Sequence, residues 1–409
     1  LLEQERVLSK VLEVFPDDLK AKAGEKAYEA FVGLRRKIMG ARVDRVMLTG
    51  DREISYLEID GGKDETVLFL HGFADSKDTF YDAAQYLVAD YNIICPDLPG
   101  FGKSFKRRSD TYCLENYGAW LSEFIEAINL VGFHVAGNSL GGAVALQVAL
   151  MIPHKIKTLT LIDPAGIFLD EPYSLHHELF DGHVIFDVQT RDEFEYFLQR
   201  VFSKQPFIPH PIKDFLFKEF SRHGVWHRKV LADLIKGLDS DEDPRLYDMA
   251  LNDRLPEVQV PTFILWGDED SFFPKETAYF MQQKIPHAEL HLLADTGHCP
   301  QIESPKRFAL VFRKFLHRQC LQLDRVERQK SHRLGTNVSR GYDPSDRQGA
   351  TRNPHKQKRS PGRSTKKVET APSESRRPAP SLTRAKAKAS RKTSKKKASR
   401  VQRKPRQTS

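Results

Sequence analysis

Cysteine is scarce: four in 409 residues, at positions 95, 113, 299 and 320, with neither paired nor metal-ligand spacing. That pattern suggests neither a disulfide framework nor a zinc site. Long apolar runs are missing too. No stretch approaches the roughly 18–20 apolar residues that a membrane-spanning helix needs, and no secretory leader is visible. Because the chain opens on Leu1 rather than Met, a targeting segment could have preceded it. A cytoplasmic or membrane-associated placement is the expectation.

Acidic residues are nearly absent from one end. Residues 325–409 hold 27 Lys and Arg against 5 Asp and Glu, while the preceding 324 residues hold 37 and 50. An acidic body is thus joined to a basic tail. The tail is rich in Lys, Arg, Ser, Ala and Pro, and almost without aromatics. It cannot bury enough apolar surface to offset the entropy of ordering, which predicts disorder. One reading is a solvated extension with no partner, or a stretch outside the native reading frame. The other is a polyanion tether, held at an anionic membrane surface by about 1 kcal/mol per nearby basic residue or bound to nucleic-acid phosphates without reading sequence.

What is present is a series of short apolar runs: "TVLFLHG" (66–72), "NIICPD" (92–97), "FHVAGNS" (133–139), "TLTLID" (158–163), "TFILWGD" (262–268) and "AELHLLAD" (288–295). Helical patterns separate most of them, as in 114–130 and 141–152. Continuous apolar strands alternating with helices predict an α/β fold with a mostly parallel sheet covered on both faces. Before this series, "VDRVMLTG" and "EISYLEID" read as a hairpin. Residues 1–43 read as an amphipathic helical segment packed on the body, in preference to a membrane-surface helix. The series is interrupted between Asp163 and Pro261 by a stretch rich in aromatics, at helical spacing in "DEFEYFLQRVF" and "IKDFLFKEF". This predicts a helical cap over the carboxyl edge of the sheet, with most of its aromatics in the cap's own core and a minority lining a cavity. The expected organisation is a helical segment (1–43), a core in two parts (44–164 and 256–324), a cap (165–255) and the tail (325–409).

In such sheets functional groups gather at the carboxyl ends of strands. His71, Asp97, Ser139, Asp163, Asp268, Asp270 and His298 all lie at or just beyond such ends. Gly137-Asn138-Ser139-Leu140-Gly141 places a serine on a sharp strand-to-helix turn, where residues without side chains let the turn close. A serine hydroxyl needs a base to become a nucleophile. His298, in the loop after the last strand, supplies one. The base in turn needs a carboxylate to fix its tautomer. Asp270 fills that role in the order Ser…Asp…His, with Asp163 a competitor and Asp268 serving the turn. An oxyanion would need two preorganised donors, for which the amides of Phe73 and Leu140 are the candidates. His71 reads as a structural residue holding its loop. The loop 95–104 lacks the spacing of a phosphate-binding loop.

Taken together, "HGF", "PDLPGFGKS", "GNSLGG", "WGDED…P" and "GHCPQIE" resemble the α/β-hydrolase fold family over roughly residues 44–320. Within it, "KTLTLIDPAGIF" and the cap run "RDEFEYFLQRVFSKQPFIPHPIKDFLFKEF" are most similar to cold-adapted bacterial lipases and monoacylglycerol lipases. The resemblance implies a Ser139–Asp270–His298 triad, a Phe73 and Leu140 oxyanion hole, an ester or acylglycerol substrate, and no metal or organic cofactor. Ser139 argues against the dehalogenases and epoxide hydrolases of the fold, which use an aspartate nucleophile. Carbon–carbon bond hydrolases of aromatic ring-cleavage products are the alternative. They commonly carry a Trp after the catalytic histidine, where this chain has Cys299.

Overall fold

The computed structural model describes residues 17–169, 175, 178, 185–235 and 251–338. Eight strands form one sheet: β1 (Arg42–Leu48), β2 (Arg52–Ile59), β3 (Thr66–Leu70), β4 (Asn92–Pro96), β5 (Phe133–Asn138), β6 (Ile156–Ile162), β7 (Thr262–Gly267) and β8 (Glu289–Leu293). Their order is β1-β2-β4-β3-β5-β6-β7-β8. The first two strands form the expected hairpin, with Leu48 opposite Arg52, and β2 runs antiparallel to β4. From β4 to β8 every pairing is parallel. Each apolar run in the sequence is a strand here. All six residues of β5 and of β7 are buried, as expected for strands covered on both faces.

Two apolar layers cover the sheet. On one side, Tyr117, Leu121 and Phe124 of α2 (Leu114–Ala127) pack with α3 (Leu140–Met151). Every residue of α3 from Leu140 to Ala149 is buried, so this helix is apolar all round rather than amphipathic. On the other side, Phe69, Phe80, Phe263, Phe308, Phe312 and Phe315 form a second cluster. Its last three members come from the final long helix, which runs from Pro305 to Val338. That helix passes residue 324, where the composition turns basic, and the remainder of the tail lies outside the described residues. Lys and Arg are good helix formers, so a change of charge need not end a helix.

Among the described residues, the cap comprises α4 (Arg191–Val201), α5 (His210–Arg222) and α6 (Gly224–Leu234), all lying between β6 and β7 in sequence. Thr190 begins α4 with a complete capping box: its side chain accepts from the Glu193 amide, and the Glu193 carboxylate accepts from the Thr190 amide. The N-terminal helix α1 (Asp17–Ile38) lies against α5, with the Tyr28 and Phe215 rings 5.4 Å apart. A side chain at Gly24 would overlap the Pro211 carbonyl, so the two helices meet backbone to backbone there. Residues 1–16 lie outside the described residues. No helix among the described residues is long and apolar enough to cross a membrane.

Candidate active site

Ser139 stands between β5 and α3 with φ 56° and ψ −120°, a left-handed backbone that a non-glycine residue rarely adopts. The turn closes because its neighbours lack side chains. A Cβ at Gly137 would collide with the Gly141 carbonyl, and one at Gly141 with the carbonyls of Leu70 and His71. The end of β3 therefore sits directly against the start of α3. A Cβ on Gly72 would lie 3.4 Å from that of Ser139. Among the described residues, the amides of Phe73 and Leu140 donate to no backbone acceptor in the loop and turn network. Leu140 opens a helix, whose first amides have no partner within it.

His298 and Asp270 meet beside this turn. His298 Nδ1 donates to Asp270 Oδ2 at 2.8 Å, which leaves Nε2 as the acceptor nitrogen. Asp270 is fixed in turn, because its Oδ1 accepts the amides of Phe272 at 2.8 Å and Phe273 at 3.3 Å. Of the three candidate carboxylates, Asp270 is the one hydrogen-bonded to His298. Asp268 takes part in the turn through its amide, which donates to Leu293 O. Asp163 is fully buried at the end of β6, and its Oδ1 accepts the Gly267 amide at 2.9 Å. Burial and the neighbouring Asp270 raise its carboxyl well above the usual range.

Sequence reasoning missed the clamp that joins the serine turn to the histidine loop. The Asn138 Nδ2 donates to His298 O at 3.0 Å and to Ile162 O at 3.2 Å, while its Oδ1 accepts from Gln301 Nε2 at 3.0 Å. A buried amide beside a candidate nucleophile is the one signal that could have drawn attention to it. His71 is structural, as expected: Nε2 accepts the Leu98 amide at 2.8 Å, so Nδ1 donates to Gly72 O at 2.8 Å. Asp97 organises its loop through a buried ion pair with Lys77 at 2.7 Å and accepts the amides of Lys77 and Lys103.

Ser139 and His298 open onto one cavity of about 820 Å³. Phe194, Phe197, Phe202, Phe215, Phe220 and Trp226 of the cap line it, so the cap gives more of its described aromatics to the cavity than the sequence suggested. Phe73, Phe101, Phe186 and Phe272 add further apolar wall. His227 packs against Phe73 and Phe220 in the same wall. Burial, then the nearby His223 and Lys106, lower its pKa to about 4, so it is neutral at pH 7. Among the described residues, two groups of three side chains have ligand atoms close enough to hold a cation. One is Asp163, Asp270 and His298. The other, Glu65, His134 and Cys320, lies at the opposite edge of the sheet, where the Lys157 ammonium already occupies the Glu65 carboxylate at 2.7 and 2.8 Å.

A strained serine elbow, a carboxylate-fixed histidine after the last strand and an apolar capped cavity define a serine hydrolase architecture. Residues 65–305 match the alpha/beta hydrolase fold family, and the chain belongs to it. It is a hydrolase of the lipase and esterase group. Lipase 3 of Moraxella sp. (strain TA144) is 30% identical over 271 residues, covering 66% of this chain and 82% of the relative. A monoacylglycerol lipase of Xenopus laevis is 27% identical, covering 62% and 76%. Among solved structures, a membrane phospholipase A described as a bacterial virulence factor superposes with a TM-score of 0.65 at 26% identity, covering 78% of this chain and 97% of that one.

Proposed function

We propose that the enzyme hydrolyses acylglycerols, with Ser139 as nucleophile, His298 as general base and Asp270 as the acid that orients it. The observation that carries this reading is the Asp270–His298 hydrogen bond opening on the same apolar cavity as the elbow serine. His298 Nε2 takes the Ser139 proton as Oγ attacks the ester carbonyl. The amides of Phe73 and Leu140 stabilise the resulting oxyanion, because they carry fixed partial charge where negative charge develops. The alcohol leaves with the proton held by His298. Water, deprotonated by the same base, then releases the acid from the acyl-enzyme. The phenylalanine-lined cavity suits an apolar acyl chain.

Against p-nitrophenyl esters from acetyl to palmitoyl, monoacylglycerols and a dienoic ring-cleavage product, the expected result is ester turnover highest on short-to-medium chains. Activity should be lost on treatment with a serine-directed organophosphonate. Faster turnover of the dienoic compound than of any ester would establish carbon–carbon hydrolysis instead.

For the tail, the reading that suits an enzyme with lipid substrates is an anionic membrane tether. Truncation after Val338 keeps the described helix Pro305–Val338. Soluble-ester activity should persist, while retention on phosphatidylserine vesicles at low salt should fall. Equal retention of both forms on vesicles would remove this role, and retention lost only on DNA would redirect it to nucleic acid.

A further inference from the structure

Asp163 is a buried acid for which the reaction above has no use. It directly follows β6 with φ 42°, and one oxygen accepts the Gly267 amide. The other, Oδ2, is buried and accepts no hydrogen bond among the described residues. Ligand-type atoms of Asp163, Asp270 and His298 all lie within 4.8 Å of one another. The other titratable groups acting on Asp163 or its neighbours are Glu303, the Cys299 thiol and, acting on that thiol, Asp75. Among the described residues, neither Asp163 nor Asp270 has a Lys or Arg ion-pair partner. Two ionised carboxylates this close in a buried site would repel each other, opposed by one imidazole and the amides of Gly267, Phe272 and Phe273.

We propose that Asp163 is a positioning residue that stays protonated at neutral pH and donates its carboxyl hydrogen to Asp270, so that the pair carries one negative charge, placed on the carboxylate that holds His298. This rests on the reading of Asp270 and His298 as acid and base. The direction of the Asp163 shift agrees, since burial and the Asp270 charge are its two largest causes. Asp270 is then fixed from two sides, by the amides of Phe272 and Phe273 and by the Asp163 hydroxyl. A second full charge is avoided beside the imidazole.

The test compares wild type with Asp163→Asn and Asp163→Leu. Asparagine can still accept the Gly267 amide and donate to Asp270 without charge, whereas leucine can do neither. With p-nitrophenyl butyrate, Asp163→Asn should keep kcat/KM within about threefold and leave the acid limb of its pH profile in place. Asp163→Leu should lower kcat by about 30-fold with KM little changed, as expected when an interaction made through another catalytic group is lost. Independently of activity, the infrared difference spectrum of wild type minus Asp163→Asn at pH 7 should contain a protonated-carboxyl stretch. Absence of that band, or an acid limb that moves down by about one pH unit in Asp163→Asn, would show that Asp163 is ionised and overturn the proposal. Because the infrared measurement needs no substrate, it decides the protonation state even if wild type fails to cleave esters. That failure would count against the functional reading alone. It also decides the matter should Asp163→Leu not fold.

Discussion

Ser139→Ala is expected to lower kcat for ester hydrolysis by about six orders of magnitude, and His298→Ala by a similar factor, because nucleophile and base act as one unit. The double variant should be scarcely worse than either single one. Residual activity about a thousandfold above water would reflect the Phe73 and Leu140 amides and the binding cavity, which both variants retain. The measurement is single-turnover hydrolysis of p-nitrophenyl butyrate, with circular dichroism to check folding. Additive losses, or a Ser139→Ala enzyme within tenfold of wild type, would rule out an acyl-enzyme on Ser139.

Asp270→Asn should reduce kcat by about four orders of magnitude. Asparagine can present its amide N–H to His298 Nδ1, which favours the wrong tautomer and leaves Nε2 protonated and unable to take the serine proton. Asp268→Asn should cost less than tenfold, since Asp268 joins the turn through its backbone amide, which donates to Leu293 O. The two variants differ by one atom type at positions two residues apart, so the comparison separates chemistry from local fold. If Asp268→Asn were the crippling change, the assignment of the acid would move.

The strands were legible in the sequence because a strand buried on both faces needs an unbroken apolar run, and six such runs stand out between helical patterns. The positions of Ser139, Asp270 and His298 followed from the same fact, since parallel sheets bring the carboxyl ends of their strands to one edge. Other features depend on contacts between distant segments, which no local pattern encodes. Asn138 reads as an ordinary polar residue until β5 is placed against the loop carrying His298, 160 residues later. Asp163 could be ranked as a competitor acid, but its hydrogen bond to the Gly267 amide needed the pairing of β6 with β7. Helical spacing likewise identified the cap aromatics without telling which face of each helix looks into the cavity. Composition marked a change at 324, while the last helix continues to Val338, because charge and helix propensity are separate properties.

The cap joins two strands that are immediate neighbours in the sheet, with Leu159 opposite Thr262. Closing so long a connection carries an entropic penalty that grows only with the logarithm of its length, about 0.6 kcal/mol for each doubling. Lengthening, trimming or exchanging the cap therefore perturbs the β6–β7 pairing far less than a change within either strand. Directed evolution can exploit that asymmetry: libraries confined to residues 205–235 would vary the cavity wall, while Val201, whose carbonyl accepts the His298 amide at 2.9 Å, and Ser203, whose amide donates to Glu303 at 3.1 Å, are kept. Grafting this segment onto another scaffold with the same strand neighbours should transfer chain-length preference without transferring chemistry.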